Sequence, residues 1–299
     1  MKSPVFATAV LPLPEWPFDL AATLQSGQVF HWEPVAGGWL GTVATEPMWL
    51  RQDAGSLTVF PAQAAALAAN YLALDHPMAE IAATFPPADT ALARAVAFAP
   101  GLRILRQPQW ECLATFITSA LKQVSQIRQV SLTLRRRFGT RHTLRPPGGP
   151  VHEVFSYPDP EVLAAAGESA LRDCGMGFRA KSLHRAAVEC ASGRFNFAFV
   201  RGLDDAAASA ELQRLHGVGE KIAHCVLLFA CERLGAFPID VWVERVLREL
   251  YFVRKRNVTP QRLRTFARKH FGPARGYAQQ FLFHHARLTR LQRENAAPH

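Results

Sequence analysis

Cysteine is scarce in this 299-residue chain, and the few cysteines present form no metal-binding or disulfide pattern. There is no CxxC pair, and no cysteine stands in a Cys/His cluster with the spacing of a zinc site. This excludes a zinc module and a disulfide-stapled scaffold. The pattern is typical of a reduced, intracellular protein. The cysteines are Cys112, Cys174, Cys190, Cys225 and Cys231.

Long apolar runs are also lacking. No stretch approaches the 18 apolar residues that a transmembrane helix needs. The first residues are interrupted by prolines as far as Pro14, and they have neither the basic start nor the apolar centre of a signal peptide. We therefore expect neither a membrane segment nor an export signal.

Acidic residues become scarce relative to basic ones after residue 100. The net charge is +10 and the sequence pI is about 9.9. Residues 1–100 hold 3 Lys/Arg and 8 Asp/Glu, so residues 101–299 carry a net charge of +15. Such an excess favours a polyanionic partner, because neutralising phosphates releases counterions. An arginine-rich genome and an ordinary basic surface would give the same charge, so charge alone leaves both interpretations open.

The N-terminal third contains short β-prone runs separated by turn signals. The runs between residues 28 and 60 are QVFHW, WLGTV, MWLRQ and SLTVF, which together predict an antiparallel meander. Alanine-rich stretches at 62–74 and 90–98 predict helices, with a break at 83–89. We therefore predict a sheet-containing domain over residues 1–100.

Beyond residue 100 the strand signal almost disappears, and apolar residues recur at helical spacing. One apolar stripe runs through residues 111–138, and RPPGGP at 145–150 reads as a loop. Cap, proline and glycine signals predict further helices at 159–174, 178–193, 259–272 and from about residue 275. We predict an α+β, mostly α fold, with a helical bundle over residues 101–299.

A Gly-Val-Gly turn at Gly217, Val218 and Gly219 divides two helical segments and predicts a helix-hairpin-helix motif at about residues 209–234. The backbone N–H groups of such a turn, at the start of a helix, can bind a phosphate. This contact grips the DNA backbone without reading its sequence. A hairpin that only packs two helices together would give the same local pattern.

Lys221 follows the turn, and Asp240 stands 19 residues later in the loop 235–241. Lys221 falls in the first helical turn, where the helix dipole disfavours a charged amine and favours a nucleophile. Asp240 stands where it would cap the helix VWVERVLREL, and from there a carboxylate can stabilise positive charge on a sugar. A surface lysine and a capping aspartate are the ordinary alternatives. The pair at this spacing is the stronger signal for catalysis.

Together these residues make the chain resemble the helix-hairpin-helix (HhH-GPD) DNA glycosylases, and among them the 8-oxoguanine DNA glycosylase family, from about Phe18 to Leu288. The resemblance implies that Lys221 displaces the damaged base and forms a Schiff base with the sugar, and that Asp240 assists. β-Elimination through the imine then nicks the strand, which makes the implied enzyme a glycosylase and AP lyase.

The resemblance also implies a base pocket. LQSGQVFHW at 24–32 is similar to a family signature whose glycine carbonyl accepts the N7 hydrogen of the oxidised base, a role that falls to Gly27. Gln279 and Phe283 share a helix face at i and i+4, and they correspond to residues that bind the base edge and stack on its ring. Cys225 would lie against the other face of the base. Each of these four is otherwise an ordinary turn or core residue.

Other family positions concern the DNA duplex. Phe178 and Arg179 match a loop whose aromatic residue wedges into the duplex and whose arginine contacts the orphaned partner base. Leu121 stands where the family usually has asparagine, and resembles the apolar wedge of alkylation-repair glycosylases. Gln126 and Trp242 replace a usual arginine and a usual histidine. The departures at Leu121 and Gln126 predict weaker selection of cytosine opposite the lesion, and Trp242 predicts a change at the rim of the pocket or in its phosphate contacts.

No metal is expected in the chemistry, although an alkali ion at the hairpin carbonyls is compatible with the resemblance. The C-terminus lacks a four-cysteine array, which excludes the iron–sulfur branch of the superfamily. The implied partner is double-stranded DNA containing a damaged base. We expect a monomer with no membrane partner, in the cytoplasm at the nucleoid of a bacterium or in the nucleus of a eukaryote.

Two alternative functions remain at this point. The first is a monofunctional alkylpurine (3-methyladenine-type) glycosylase, which Leu121 favours and the hairpin lysine disfavours. The second is a non-catalytic helix-hairpin-helix DNA-binding protein. It would leave the Lys221/Asp240 pair and the Gly27 signature as coincidences.

Overall fold

The computed structural model describes residues 7–119, 123–253 and 258–296, with side chains as far as residue 290. Within these residues a five-stranded antiparallel sheet is followed by helices, so the predicted fold class is confirmed. The sheet has the order β1-β5-β4-β3-β2. Its strands are β1 (Ala9–Pro12), β2 (Glu33–Val35), β3 (Gly38–Val43), β4 (Glu46–Asp53) and β5 (Ser56–Phe60).

The predicted meander is confirmed for β3, β4 and β5, but the strand assigned at 28–32 was wrong, and the short edge strands β1 and β2 were not predicted. The run QVFHW at 28–32 is not a strand, because Gln28 uses its side chain to hold a buried irregular segment. Its carboxamide donates to the Arg103 carbonyl at 2.7 Å and accepts from the Leu105 N–H at 2.9 Å. Strand β1 was not predicted, since its four residues form a half-exposed edge strand that ends at Pro12.

The N-terminal third also contains four α-helices among its described residues. The predicted helices near 62–74 and 90–98 are confirmed, whereas the helix that precedes the break at 83–89 was not predicted. These helices are α1 (Leu20–Gln25), α2 (Ala65–Tyr71), α3 (Met78–Ala83) and α4 (Thr90–Phe98). Buried leucine, valine, methionine and aromatic side chains of the sheet, α1 and α2 form one core, whereas α3 and α4 pack into the core of the C-terminal helices.

Ten α-helices, and a short π-helical turn at Arg172–Met176, follow in the described part of residues 109–296. The stripe at 111–138 belongs to two helices rather than one, and residues 120–122 between them lie outside the described residues. The helices are α5 (Gln109–Ser119), α6 (Val124–Phe138), α7 (Pro160–Leu171), α8 (Arg179–Ala191), α9 (Phe197–Gly202), α10 (Asp205–Gln213), α11 (Glu220–Ala230), α12 (Val241–Tyr251), α13 (Pro260–His270) and α14 (Arg275–Ala296). The predicted starts of α7, α8, α13 and α14 are confirmed.

A β-hairpin, β6 (Arg141–Leu144) and β7 (His152–Phe155), contradicts the prediction that strands disappear after residue 100. The RPPGGP loop connects these two strands. The hairpin packs on the N-terminal sheet, where Leu144 joins a small cluster with Leu40, Trp49 and Phe60. Short strands with many polar and charged residues carry little apolar periodicity, and contacts from outside the hairpin, including Arg135 donating to the Phe155 carbonyl at 3.1 Å, help to stabilise them.

A buried ion pair connects the helices to the sheet. Arg135 on α6 donates to the Glu111 carboxylate on α5, and its guanidinium also donates to Thr42 Oγ1 on β3 at 2.9 Å. His31 Nδ1 lies 3.5 Å from the same carboxylate. Burial raises the pKa of Glu111, and Arg135 opposes that rise. The network fixes α5, the helix that reaches the candidate active site.

Candidate active site

The Gly-Val-Gly turn forms a tight hairpin between α10 and α11. The Val218 N–H donates to the Leu215 carbonyl at 3.0 Å. Gly217 has φ +81, and a Cβ there would stand 2.3 Å from Ser182 Oγ on α8, so a side chain is excluded. Gly219 begins α11 in an extended conformation with nothing within 4 Å of its Cβ position. The turn is therefore packed on one side and open on the other, as a backbone phosphate requires.

Lys221 lies in the first turn of α11, as predicted, and its side chain is directed toward α5. The amine donates to Ser119 Oγ at 3.1 Å and lies 5.0 Å from the centroid of the Phe116 ring. Its neighbour Glu220 is paired with Arg264 at 2.8 Å. The lysine amine is thus held by a hydroxyl and a ring face, with no carboxylate bound directly to it among the contacts described.

Asp240 caps α12, as predicted. Its Oδ1 accepts the Val243 N–H at 2.8 Å, which leaves the second carboxylate oxygen for other contacts. The preceding loop is tied back to α11 through His224, whose Nδ1 lies 3.1 Å from the Phe237 carbonyl. This return brings the start of α12 to the helix that carries Lys221.

Cys225, one turn after Lys221, shares the electrostatic environment of both residues. Burial raises the pKa of its thiol to about 11, with Lys221 lowering it and Asp240 raising it further. Both charged groups therefore lie near the sulfur. The thiol remains protonated at neutral pH, so Cys225 is an uncharged wall of the site.

A second group of predicted residues meets where α14 crosses the segment after α1. Gly27 has φ +86, and a Cβ there would stand 3.1 Å from Cε1 of Phe283. Gln280 donates to the Ser26 carbonyl at 3.0 Å and fixes this contact. The ring that was predicted to stack on the base thus lies directly against the predicted glycine.

Gln279, the remaining predicted pocket residue, is buried, and its Oε1 has no hydrogen-bond partner. A buried amide oxygen without a partner costs about 1–3 kcal/mol, which a ligand N–H would recover. The first turn of α14 is held close to α11, because a Cβ at Gly276 would stand 2.3 Å from Leu228 Cδ1. Phe283 packs against the same core that contains Cys225.

Comparison with protein families agrees with this geometry. Residues 115–272 match the model described as HhH-GPD superfamily base excision DNA repair protein, and residues 10–113 match 8-oxoguanine DNA glycosylase, N-terminal domain. The chain belongs to the HhH-GPD superfamily. Its N-terminal third is the domain that the 8-oxoguanine DNA glycosylases carry.

Relatives match this HhH-GPD chain over nearly its whole length. A probable N-glycosylase/DNA lyase of Methanothermobacter thermautotrophicus is 28% identical over 93% of this chain and 96% of its own. The structure of MBOgg1 with a low-affinity DNA ligand has a TM-score of 0.86 and 29% identity, covering 95% of this chain and 96% of the other. The Clostridium acetobutylicum 8-oxoguanine glycosylase/lyase, solved with duplex DNA containing cytosine opposite 8-oxoG, has a TM-score of 0.84, 28% identity and coverage of 92% and 93%.

The loop predicted to enter the duplex presents one exposed aromatic residue on this HhH-GPD fold. Phe178 is 67% exposed, whereas Arg179, the first residue of α8, is only 7% exposed. The Arg179 guanidinium lies 4.5 Å from the centroid of the Phe178 ring, and its buried Nε has no partner. The phenylalanine therefore covers the arginine that was predicted to contact the orphaned base.

Trp242, the residue that replaces the usual histidine, is half-exposed near the start of α12. Two guanidinium groups lie over its ring: Arg245 at 5.5 Å and Arg290 at 5.3 Å from the centroid. The departure from the family pattern therefore builds a cationic platform next to Asp240. Such a platform suits a phosphate at the rim of the site.

Gln126 and Leu121 were predicted to face the duplex from α6 and the segment before it. Gln126 is exposed, and its Oε1 accepts the Gln123 N–H at 3.3 Å in a capping box that begins α6. Leu121 lies outside the described residues.

Three residues near the site were missed in the sequence. Ser119 and Phe116 contact Lys221 from α5, and Arg287 lies 5.7 Å from the Phe283 ring centroid while donating to the Gln25 carbonyl. Arg287 continues the four-residue spacing of Gln279 and Phe283, so that signal was present in the sequence. The pairing of α5 with α11 has no local sequence signal.

Among the residues that the structure covers, no three His, Cys, Asp or Glu side chains are grouped so that they could hold a metal ion. In the same residues, no helix combines the length and the apolar character that crossing a membrane demands.

Proposed function

We propose that this chain is a DNA glycosylase and AP lyase that excises 8-oxoguanine from duplex DNA. The observation that carries the proposal is the convergence of Lys221, Cys225 and Asp240 at the hairpin, on a family fold whose N-terminal domain supplies Gly27 against Phe283. Relatives matched over nearly their whole length are named as glycosylase/lyases, which favours a catalyst over a binding module.

The pocket residues suit a flipped oxidised purine. The Gly27 carbonyl accepts the N7–H that 8-oxoguanine has and guanine lacks. Gln279, whose buried Oε1 has no partner, meets the N–H donors of the Watson–Crick edge. Phe283 stacks on one face of the purine, and the uncharged Cys225 thiol lies against the other.

The chemistry uses the lysine as nucleophile. The neutral Lys221 amine attacks C1′, the C1′–N9 bond breaks, and its electron pair leaves with the purine, which takes up a proton. Asp240 stabilises the positive charge that develops on the sugar. Opening of the sugar ring gives an imine, and loss of a C2′ proton then expels the 3′ phosphate by β-elimination.

No metal and no iron–sulfur cluster takes part in these steps, because the amine and the carboxylate supply both the nucleophile and the charge. An alkali ion at the hairpin would be held by backbone carbonyls of residues 215–219, and it would strengthen the phosphate grip. The Leu215 carbonyl already accepts the Val218 N–H and the Gly219 carbonyl the Ala223 N–H, each at 3.0 Å, so each oxygen would have its second lone pair available to an ion. The protein acts as a monomer on chromosomal DNA, at the nucleoid of a bacterium or in the nucleus of a eukaryote.

Borohydride trapping tests the proposal. Wild type should be trapped covalently on a duplex with 8-oxoguanine opposite cytosine, but not on the undamaged duplex, and Lys221→Gln should not be trapped, because only a primary amine forms the imine. Lys269→Gln, an exposed lysine at the end of α13, is the matched control and should be trapped as wild type. Trapping of Lys221→Gln at wild-type yield would remove this lysine from the mechanism. Excision of 3-methyladenine without trapping would favour the alkylpurine alternative.

A further inference from the structure

Helices α5 and α11 face each other along two matched stripes. Cys112, Phe116 and Ser119 lie on one face of α5, and the residues opposite them on α11 are Lys221, Cys225 and Phe229. The rings of Phe116 and Phe229 stack at 5.4 Å with an interplanar angle of 19°. The pKa of Cys112 is raised by burial and by Cys225. The end of α5 is therefore held in register with the start of α11.

The direction of the hydrogen bonds at Ser119 is fixed. Its hydroxyl donates its single hydrogen to the Phe116 carbonyl at 2.8 Å. The oxygen therefore faces the Lys221 amine as an acceptor, at 3.1 Å. Ser119 is 8% exposed, so water has little access as a substitute for the amine.

This arrangement orients the lone pair of the lysine. A neutral amine is tetrahedral, so when one N–H points at Ser119 Oγ, the lone pair must point elsewhere. The Phe116 ring covers a second direction at 5.0 Å. The remaining direction is the open side of the site, where the C1′ atom of a flipped nucleotide would lie.

We propose that Ser119 is a positioning residue that orients the Lys221 lone pair toward the sugar. The proposal rests on the proposed function, since it concerns the same nucleophile. Ser119 makes no contact with DNA in this role and forms no bond in the reaction. Its effect is on the fraction of bound complexes in which the amine is ready to attack.

The backbone around Ser119 is held independently of the lysine. Glu111, two turns earlier on α5, is bound to Arg135 in the buried network that reaches β3. Removing the Ser119 hydroxyl should therefore leave α5 in place and free only the amine. This separates positioning from folding.

Thr118 offers a matched control on the next residue. It is 1% exposed, and its Oγ1 donates to the Thr115 carbonyl at 2.6 Å, the same bond to the residue three positions earlier that Ser119 makes. The experiment compares Ser119→Ala, Ser119→Thr and Thr118→Val with wild type. Each variant is measured for single-turnover excision across pH, for affinity to a duplex with an uncleavable abasic analogue, and for Tm.

We expect Ser119→Ala to lower the single-turnover rate about tenfold or more, because small displacements of a reacting group cost that much. The deficit should persist at the alkaline plateau, where the amine is neutral in every variant, while DNA affinity stays within twofold of wild type. Ser119→Thr, which keeps the hydroxyl, should recover most of the rate. Thr118→Val should have a lower Tm than wild type but the same single-turnover rate.

Equal rates for Ser119→Ala and Thr118→Val would overturn the proposal, as would a loss in Ser119→Ala that disappears at the alkaline plateau. These outcomes are distinct from failure of the proposed function. If wild type itself does not trap on 8-oxoguanine DNA, the proposed function fails. If wild type traps and Ser119→Ala matches the control, only the role of Ser119 fails.

Discussion

Gly27 lies so close to Phe283 that a Cβ on the glycine would stand 3.1 Å from the edge of the ring. The two residues come from opposite ends of the chain, and the hydrogen bond from Gln280 to the Ser26 carbonyl holds them together. The backbone of Gly27 also has φ +86, which side-chain-bearing residues rarely adopt. Shape and backbone conformation both require glycine at this point of the pocket.

Replacing Gly27 with alanine should therefore impair excision much more than folding. The left-handed conformation costs about 1–2 kcal/mol for a residue with a Cβ, and the methyl group would push Phe283 into the space of the purine. We expect single-turnover excision of 8-oxoguanine to be lost. The free energy of unfolding, measured in urea, should fall by only about 1–2 kcal/mol.

Gly55→Ala is the matched control for this prediction. Gly55 has φ +77 in the turn between β4 and β5, with nothing within 4 Å of its Cβ position. It should show the same loss of stability and normal excision. If Gly27→Ala excises at the Gly55→Ala rate, the glycine does not border the base pocket.

Asp240→Asn should fold and bind lesion DNA but excise slowly. Asparagine can still accept the Val243 N–H as a helix cap, but it lacks the charge opposite the developing cation. Loss of one such electrostatic group costs about 10²–10³-fold in rate. The measurement is single-turnover excision beside a Kd for the abasic-analogue duplex.

Asp204→Asn provides the comparison, since Asp204 caps α10 with the same 2.8 Å bond to a backbone N–H and lies outside the site. It should excise at the wild-type rate. If Asp240→Asn excises as fast as Asp204→Asn, Asp240 acts only as a helix cap and has no role in the chemistry.

Selection of the opposite base should be measurable but weak. Gln126 offers an uncharged amide where the family usually has arginine, and Arg179 is covered by Phe178. A bidentate base contact discriminates between bases by about 1–3 kcal/mol. A site with one arginine should therefore prefer cytosine roughly tenfold less, or weaker still, than a site with two. We expect cytosine to remain preferred, with Gln126→Arg widening the margin and Arg179→Ala narrowing it.

The check is single-turnover excision opposite each of the four bases with these variants. Phe178→Ala removes the wedge and uncovers the Arg179 guanidinium, so it should slow excision opposite every base while widening the preference for cytosine. If Arg179→Ala leaves both the ranking and the spread of rates unchanged, the loop has been assigned wrongly.

Acid should weaken the attachment of α4 to α12 and α13. The Asp89 carboxylate accepts from Tyr251 at 2.9 Å and from His270 at 2.8 Å. Burial raises its pKa, but hydrogen bonds from the Leu92 N–H, His270 and Tyr251 bring the pKa below the ordinary 3.8. A lowered carboxyl pKa contributes stability above 3.8 that is lost as the pH falls through the folded-state value.

Asp89→Asn should therefore reduce the free energy of unfolding by about 1–3 kcal/mol at pH 7, and by less at pH 3. Urea unfolding of both proteins at the two pH values measures the difference. Asp159→Asn is the control, because the Asp159 side chain at the start of α7 makes no capping hydrogen bond. Its free energy of unfolding should match that of wild type at both pH values. If the stability that Asp89→Asn loses were larger at pH 3 than at pH 7, the Asp89 carboxylate would not stabilise the fold in its charged form.

Local physics determined most of what could be predicted from the sequence. Proline and capping signals located the starts of α7 and α13, and two glycines located the hairpin, because turns and helix ends depend on a few neighbouring residues. Asp240 was placed correctly as a cap for the same reason. The meander followed from short β-prone runs between turn signals.

The errors share one cause, which is that the stabilising contacts come from elsewhere in the chain. The segment 28–32 has the composition of a strand, but Gln28 bonds to residues 103 and 105 instead of to a neighbouring strand. The β6–β7 hairpin lacks a local pattern and is stabilised by packing on the first sheet. Neither partner can be identified from the segment itself.

The sequence by itself determined which residues to consider for chemistry: Lys221 and Asp240 were identified from motif and spacing, and Gly27 and Phe283 from the resemblance to the glycosylase family. Tertiary structure alone decided what surrounds them: Ser119 as the acceptor for the lysine, Phe178 as the cover over Arg179, and the contact of Gly27 with Phe283. A motif records the identity of a reactive group. Its orientation depends on helices that meet only when the core is packed, because the contacting side chains are far apart along the chain.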